Sequence, residues 1–249
     1  MYYTTHNFES FDGCRLNVRE SGEGPLLLLI HGGATDADFW HDAGEIFSQW
    51  FHVISYDRRC HVRSETKRQR RMLDAHMEDA SALIRAFAGP EDEGKAYIIC
   101  HSMGGFVGMR LCEKHPEQVR KILFHEPVFS FYRHLCQKSL HAMTHTLTFD
   151  EFRGRPATEE ELANVAPDTE ALKKYDLLWL LTYRTPYETL ATMPVFFGVG
   201  EQSKGTAIYN ETIRSAEKLN APLLWFPGTH NCAFCLPHEF AYLCMGALL

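Results

Sequence analysis

The sequence lacks a long hydrophobic run. No window reaches the roughly 18 apolar residues that a membrane-spanning helix needs, and Met1–His6 shows neither the basic start nor the apolar core of a secretory signal. We therefore expect a soluble, cytoplasmic protein without a membrane partner. The chain also lacks low-complexity tracts and internal repeats, and its 249 residues with 45% hydrophobic content suffice for one large core with a modest insertion.

Positive charge is in deficit, since the formal net charge is −7. Domains that bind nucleic acid usually carry a basic balance, so we do not expect a general nucleic-acid binder. One stretch is basic nevertheless, and its cations are Arg58, Arg59, Arg63, Lys67, Arg68, Arg70 and Arg71. We interpret this stretch as a solvated loop, and the alternative is a rim that attracts anions towards a nearby site.

The chain has eight cysteines but no export signal, so we expect reduced thiols rather than disulfides. Cys232 and Cys235 form a C-x-x-C motif, a pattern that can hold zinc or carry redox chemistry. No second C-x-x-C and no spaced histidine pair accompany the motif. Neither a structural metal nor a redox function is therefore predicted.

The most informative stretch covers residues 96–108. A short apolar run rich in isoleucine leads into the pentapeptide Cys-His-Ser-Met-Gly, and a helical pattern follows directly. A sharp strand–turn–helix connection of this kind lifts a serine side chain clear of the sheet, and it needs small residues two positions before and after the serine. Cys100 and Gly104 occupy those positions. The pattern predicts that Ser102 is a nucleophile and that the Met103 N–H, at the start of the helix, stabilises an oxyanion.

Strand and helix patterns alternate along most of the chain. Asp12-Gly13 predicts a hairpin, and the unbroken apolar run Leu26–Ile30 indicates a buried central strand. That strand ends in His31-Gly32-Gly33-Ala34, which offers a second oxyanion donor from the N–H of Gly33 or Ala34. Further strands are predicted at Phe51–Tyr56, Val119–Phe124, Pro194–Val199 and Pro222–Phe226, and further helices near Phe39–Trp50, Leu73–Phe87, Ala207–Leu219 and Pro237–Leu249. This alternation predicts an α/β fold, with a mostly parallel central sheet and helices on both faces.

The alternation breaks between residues 128 and 192. This tract has no strand pattern, and it is helical and rich in rings, which include Phe131, Tyr132, His134, His141, His145, Tyr175, Trp179 and Tyr183. We expect residues 128–192 to form a helical lid that is inserted into a core made of residues 1–127 and 193–249. The aromatic content favours a substrate with a sizeable apolar part.

Over essentially its whole length the chain resembles the α/β-hydrolase fold. The resemblance rests on the His31-Gly32-Gly33 loop, on Asp57-Arg58-Arg59 with Ser64, on the turn at Cys100–Gly104 and on a lone His230 after the last strand. It implies that His230 is the general base and acid. One departure lies after Arg59, where Cys60 and Val62 replace the glycines that members of the family usually carry, so we expect a differently shaped loop.

The acid of the triad is the second departure. Most members carry an aspartate after the strand that here ends at Gly200, but this chain has Ser203 there, and a serine cannot stabilise an imidazolium electrostatically. We expect Glu126 to supply the carboxylate, because sites in parallel sheets gather at the carboxyl ends of the strands. Glu201 and Asp57 are the alternatives.

The resemblance implies a serine hydrolase that cleaves a small-molecule carboxylic ester or lactone without a cofactor or a metal. Ser102 would attack the carbonyl, His230 would move the proton, Glu126 would hold the imidazole, and the N–H groups of Gly33 and Met103 would bind the oxyanion. The segment Phe124-His125-Glu126 is locally similar to a strand end of the fungal lactonases that open zearalenone.

Several other activities stay open at this point. Within the enzymes they are carbon–carbon bond hydrolysis and aminopeptidase activity, and outside them a ligand receptor or a pseudo-enzyme that has lost its acid at Ser203. A serine at the turn disfavours dehalogenases and epoxide hydrolases, which need a carboxylate nucleophile. The sequence leaves the oligomeric state open, a homodimer included.

Overall fold

Eight strands form one sheet in the computed structural model, which describes residues 3–129 and 171–249. In chain order the strands are β1 (Thr4–Glu9), β2 (Arg15–Ser21), β3 (Leu26–Ile30), β4 (His52–Tyr56), β5 (Ala96–His101), β6 (Val119–His125), β7 (Val195–Gly200) and β8 (Leu223–Phe226). Their order across the sheet is β1-β2-β4-β3-β5-β6-β7-β8. The first two strands are antiparallel to their neighbours and the other six are parallel, which confirms the predicted α/β-hydrolase fold.

Helices follow most of the strands. They are α1 (His41–Phe47), α2 (Met72–Phe87), α3 (Gly104–Lys114), α4 (Leu177–Thr182), α5 (Tyr187–Leu190), α6 (Ala207–Leu219), α7 (Cys232–Cys235) and α8 (Pro237–Leu248). Short 3₁₀ turns lie at Ala37–Trp40, Pro90–Asp92, Pro116–Gln118 and Glu201–Ser203, and a π-helical turn at Leu172–Asp176 precedes α4. None of the described helices is both long and apolar enough to cross a membrane.

The central strands are buried on both faces, which explains their unbroken apolar sequences. On β3, Leu26, Leu28 and Ile30 pack into one hydrophobic core with residues of α2 and α3. Leu27 and Leu29 point the opposite way, into a second core with residues of α1, α7 and α8. Alternate residues of one strand thus reach two cores, as the two-residue period of a strand requires.

The largest departure from the predicted elements lies at the first helix. The spacing of aromatic residues predicts one helix over Phe39–Trp50 with all its rings in the core, but α1 ends at Phe47 and Trp50 is 41% exposed. A 3₁₀ turn, Ala37–Trp40, replaces the first helical turn, with the Asp36 side chain accepting from the Asp38 N–H at its start. The exposed Trp50 belongs to the turn after α1, beyond the face that packs on the sheet.

Part of the predicted insertion lies within the described residues. Its residues 130–170 lie outside them, whereas residues 171–192 form the π-helical turn, α4 and α5, with no strand in that described stretch. Trp179, on α4, is 3% exposed and packs against the rings of His76 and Phe106. The described part of the insertion is therefore docked on the face of the sheet that carries α2 and α3.

Candidate active site

Ser102 occupies the sharp turn between β5 and α3. Its φ is +51°, a left-handed conformation that is rare for residues other than glycine. The turn is tight because the start of α3 lies against the end of β3: a Cβ on Gly104 would come within 2.6 Å of the carbonyl oxygens of Ile30 and His31. The Ser102 carbonyl accepts a hydrogen bond of 3.1 Å from Val128, which fixes the turn from the side of β6.

Cys100 stands where this type of turn usually has glycine, and its side chain is accommodated by α3. The Sγ fills the space beside Gly108, where a Cβ would lie only 2.4 Å from the sulfur. Burial raises the pKa of the Cys100 thiol well above its usual range. The thiol therefore stays neutral, and it is a packing group beside the serine rather than a second nucleophile.

Glu126 and His230 are brought together at the carboxyl edge of the sheet. Glu126 follows β6 directly with a φ of +41°, and this bend turns its side chain towards the end of β7. One carboxylate oxygen, Oε1, accepts from the Gly200 N–H at 2.8 Å, and the other, Oε2, lies 2.7 Å from His230 Nδ1. The carboxylate thus reaches the end of the strand after which the family usually carries its acid.

The surroundings of Glu126 keep it ionised. Burial alone would raise its pKa, but the hydrogen bond and charge of His230, with help from His125 and the Gly200 N–H, lower the pKa to about 2. An ionised carboxylate only accepts hydrogen bonds, so the proton shared with His230 belongs to Nδ1. The His230 Nε2 is then left with a lone pair, as a general base requires.

His101 holds the main chain of the His230 loop. Its Nε2 donates to the His230 carbonyl at 2.9 Å, and the two rings lie 4.4 Å apart. Burial and the neighbouring His230 lower the pKa of His101 well below its usual range, so this ring stays neutral and serves as a fixed donor. Phe39 stacks on its other side at 4.3 Å.

The two alternative acids lie elsewhere. Glu201 is exposed on the 3₁₀ turn after β7. Asp57 is fully buried, but it is bound by the Arg63 guanidinium, with Arg63 Nε 2.6 Å from Oδ2, and by the Ala37 N–H. Ser203, at the family's usual acid position, is buried at 5% exposure. Among these predicted candidates only Glu126 contacts His230.

The two predicted oxyanion donors belong to the two chain segments that meet at Ser102. Met103 precedes the first residue of α3, where N–H groups have no intrahelical partner. Gly33 follows Gly32, and a Cβ on Gly32 would lie 2.9 Å from the Ser102 Cβ. The loop after β3 therefore passes so close to the serine that only glycine fits there. Its next residue, Ala34, has a φ of +56°.

The basic stretch is the solvated loop that its composition suggests only beyond Arg59, where most of its cations are exposed. Arg58 and Arg59 are both 0% exposed, because each finds an equally buried carboxylate. Arg59 Nε lies 2.6 Å from Asp79 on α2, and Arg58 Nη2 lies 2.6 Å from Asp176 of the insertion. Sequence reasoning missed Arg58 and Asp176. The available signal was that Arg58, like Glu126, follows the carboxyl end of a parallel strand.

The loop that carries these arginines keeps glycine-like geometry without glycine. Cys60 has a φ of +63° and Val62 a φ of +39°, both in the left-handed region. Each of the two residues therefore adopts a conformation that glycine adopts more readily, and the expectation of a differently shaped loop stays a prediction. For a β-branched residue such as Val62 this conformation is unusual.

No group of three or more His, Cys, Asp or Glu side chains in residues 3–129 and 171–249 is arranged to hold a metal ion. The C-x-x-C cysteines lie on α7, with Cys232 Sγ donating to the Pro227 carbonyl at 2.8 Å.

Comparison with known proteins decides the family. The model of the serine aminopeptidase S33 hydrolases matches residues 24–232. The chain belongs to this family. Among curated relatives, the uncharacterized hydrolase YraK of Bacillus subtilis is 30% identical over a 243-residue alignment that covers 88% of this chain and 87% of YraK.

Solved structures agree on the fold of this family member. A variant of the meta-cleavage product hydrolase CumD superposes with a TM-score of 0.77 at 18% identity, covering 97% of each chain. The enol-lactonase of Burkholderia xenovorans superposes with a TM-score of 0.75 at 17% identity, covering 98% of this chain and 99% of the lactonase. At these identities the superpositions show the α/β-hydrolase fold alone. The S33 family match and the relationship to YraK establish that the protein is a hydrolase.

Proposed function

We propose that this S33-family protein is a serine hydrolase that cleaves a carboxylic ester or lactone through an acyl-enzyme. The observation that carries the proposal is the 2.7 Å contact between Glu126 Oε2 and His230 Nδ1. An acid–histidine pair with this tautomer, at the same carboxyl edge of the sheet as a serine in a strained turn, is the arrangement that activates a hydroxyl nucleophile.

The reaction follows from these roles. The Ser102 Oγ attacks the acyl carbonyl while His230 Nε2 takes the hydroxyl proton. His230 then gives that proton to the leaving alkoxide, and the C–O bond of the substrate breaks to leave an acyl-serine. Water then attacks the acyl-serine while His230 takes its proton, and the Ser102 Oγ leaves with that proton as the acid is released. Glu126 stays ionised throughout and stabilises the transient imidazolium.

Charge that develops on the carbonyl oxygen needs fixed donors. The Met103 N–H is suited to this role because it lies at the start of α3. The Gly33 N–H is suited to it because its loop passes close to Ser102. Two such backbone donors cost no reorganisation when the oxyanion forms. We assign the oxyanion hole to them.

An ester or lactone is favoured because an alkoxide is a better leaving group than an amide nitrogen. The fold likeness to an enol-lactonase is compatible with this choice. Peptide-bond hydrolysis is the second candidate, since the matching family model is that of a serine aminopeptidase.

For either activity we propose that residues 128–192 form a lid over the site. The docked Trp179 and Tyr183 support this assignment, because both rings pack on Phe106 of α3.

A fluorophosphonate probe tests the nucleophile without knowledge of the substrate. The wild-type protein should be labelled at Ser102 and the Ser102→Ala variant should not. Ser203→Ala is the matched control, since it removes another buried hydroxyl at the family's usual acid position and should leave labelling unchanged. A wild-type protein that stays unlabelled would support a receptor or pseudo-enzyme and end the proposal.

A substrate panel then separates the two activities. Aryl esters, lactones of several ring sizes and aminoacyl anilides should be offered to the same preparation. Turnover of esters or lactones with little cleavage of the anilides is the expected result. Faster cleavage of the anilides would make the protein an aminopeptidase with the same catalytic residues.

A further inference from the structure

The Gly32 carbonyl accepts two hydrogen bonds from buried side chains. Arg58 Nη2 donates to it at 2.8 Å, and His31 Nδ1 lies 2.8 Å away. The Arg58 backbone N–H donates to His31 Nε2 at 2.9 Å, so this nitrogen is the acceptor of the ring and the proton lies on Nδ1. His31 therefore also donates to Gly32, and Arg58 contributes to this arrangement twice.

A fixed Gly32 carbonyl fixes the direction of the Gly33 N–H. Both groups belong to one planar peptide unit, in which the C=O and N–H bonds point in opposite directions. Donors that hold the carbonyl on one side of the loop therefore aim the N–H at the other side. Ser102 lies against this same peptide, as the 2.9 Å approach of a Gly32 Cβ to its Cβ shows.

Arg58 is in turn held by the insertion. Its Nη1 and Nη2 lie 3.2 and 2.6 Å from the two carboxylate oxygens of Asp176, and its guanidinium lies 5.7 Å from the centre of the Trp179 ring. Burial would raise the pKa of Asp176, but Arg58 and His61 hold it well below its usual range. One guanidinium thus joins the loop beside Ser102 to the chain segment 171–182.

We propose that Arg58 is a positioning residue, which aims the Gly33 N–H at the oxyanion and couples this alignment to the docking of Asp176. The proposal rests on the proposed serine-hydrolase function. The positive guanidinium also polarises the Gly32–Gly33 peptide, which makes its N–H a stronger donor.

A purely structural ion pair is the competing explanation, and two observations weigh against it. Buried ion pairs can often be replaced by apolar residues of similar volume without loss of stability. This one is also incompletely satisfied, since Arg58 Nε has no hydrogen-bond partner among the residues that the structure describes. The atom that does find a main-chain partner is the one that bonds to Gly32 beside Ser102.

The test is a pair of charge-free double variants. Arg58→Met with Asp176→Leu removes both charges together and avoids an unpaired buried ion. Arg59→Met with Asp79→Leu is the matched control, because this neighbouring pair is equally buried and does not contact Gly32. Arg59 also binds Asp12, and this second carboxylate reaches solvent, so it is not left as a buried ion. For each variant we would measure kcat and KM on the best ester, and the affinity for a trifluoromethyl ketone that Ser102 converts to a hemiketal oxyanion.

The Arg58 double variant should lose about 10²-fold in kcat and in affinity for the ketone, at the lower end of the loss for a deleted oxyanion donor, with KM within about threefold. The Arg59 control should keep both values within about threefold. An Arg58 double variant with wild-type kcat and ketone affinity would overturn the inference. It would show that apolar side chains can replace the ion pair without loss of activity, as expected for a purely structural pair.

Arg58→Lys keeps the inference testable if the double variant does not fold. A lysine retains the charge but cannot bind Asp176 bidentately and reach Gly32 at the same time, so kcat should fall about tenfold while the unfolding midpoint changes little. Wild-type kcat in this variant would contradict the inference. If wild-type protein fails to react with fluorophosphonate, the proposed function fails and the inference fails with it; if only the Arg58 variants behave like wild type, the inference fails alone.

Discussion

Two buried carboxylates, Glu126 and Asp176, each bind a cationic or ionisable partner, and the two pairs differ first in how far the partner is exposed. The His230 side chain is 24% exposed, whereas Arg58, His61 and Asp176 are all fully buried. A general base must present one nitrogen to a reactant, so its pair needs an open side. A pair closed on all sides can hold the main chain in place but cannot exchange a proton with a ligand.

The partner's chemistry follows the same division. The imidazole of His230 can accept a proton and give it up again, as a proton carrier must. An arginine guanidinium takes no part in proton transfer, so the bond from Arg58 to the Gly32 carbonyl does not vary with the reaction. The reactive side of the site, Glu126 with His230, therefore has a partner that can carry a proton. The holding side, Asp176 with Arg58, has a partner that stays a cation.

The strongest way to break this comparison is to remove the carboxylate on the reactive side. Glu126→Gln keeps the shape but offers His230 Nδ1 a neutral amide, so we expect kcat to fall by roughly 10⁴. Glu201→Gln, on the exposed turn after β7, is the control and should be nearly silent. A crippled Glu201→Gln with an active Glu126→Gln would move the acid to the family's usual strand.

On the holding side the expected loss is one of stability. Asp176→Asn leaves Arg58 charged and unpaired in the interior, so we expect the free energy of unfolding to fall by about 3–5 kcal/mol. Urea denaturation at neutral pH measures this loss. Glu211→Gln breaks the pair of Glu211 with the exposed Arg214 and should cost less than about 1 kcal/mol. Equal losses for the two variants would show that burial does not distinguish the pairs.

The pH dependence of stability tests whether Glu126, on the reactive side, has a lowered pKa in the folded protein. The pKa of Glu126 falls from its ordinary value of 4.5 to about 2 on folding, so its contribution is complete above about pH 4.5 and is lost as the pH falls towards 2. The difference in unfolding free energy between wild type and Glu126→Gln should therefore shrink by about 2–3 kcal/mol from pH 5 to pH 2. Glu201→Gln should run parallel to wild type, and a constant gap for Glu126→Gln would refute the depressed pKa.

The smallest effect concerns strain in the loop that carries Arg58. Val62 is 44% exposed and has a φ of +39°, so Val62→Gly relieves the strain and loses little packing. We expect a gain of about 1 kcal/mol, or roughly 2–4 °C in Tm, with kcat unchanged. Gly205→Val is the reverse control, because Gly205 has a φ of +91° and open space around it. Stability that falls in Val62→Gly would show that the valine is not strained.

Most of the fold could be predicted because its signals are local. The apolar run Leu26–Ile30 and the alternation that follows it predict β3 and the parallel sheet, and α6 has the predicted bounds, Ala207–Leu219. The prediction that Trp50 lies in the core was wrong, because the helical spacing of aromatic residues continues past the point where α1 ends. Periodicity indicates which face is apolar but gives no measure of where packing stops.

The site, too, could be predicted from the sequence only in part. The contact between Glu126 and His230 could be predicted from the rule that sites gather at the carboxyl ends of parallel strands, and the catalytic roles of these residues stay predictions. The bond between Arg58 and Asp176 could not, because the two residues lie 118 positions apart and the composition around Arg58 indicates solvent. Only the folded chain shows that these opposite charges are buried together.

The thiol of Cys100 has a consequence for how this chain and its relatives can vary. Between β5 and α3 there is room for one side chain at this point, and Cys100 takes it only because Gly108 has none. The two positions therefore share a single volume. A relative with glycine at position 100 would lose the shortest contact that an alanine at position 108 makes, while Ile122 and Phe124, each 3.0 Å from such a Cβ, would have to shift slightly as well.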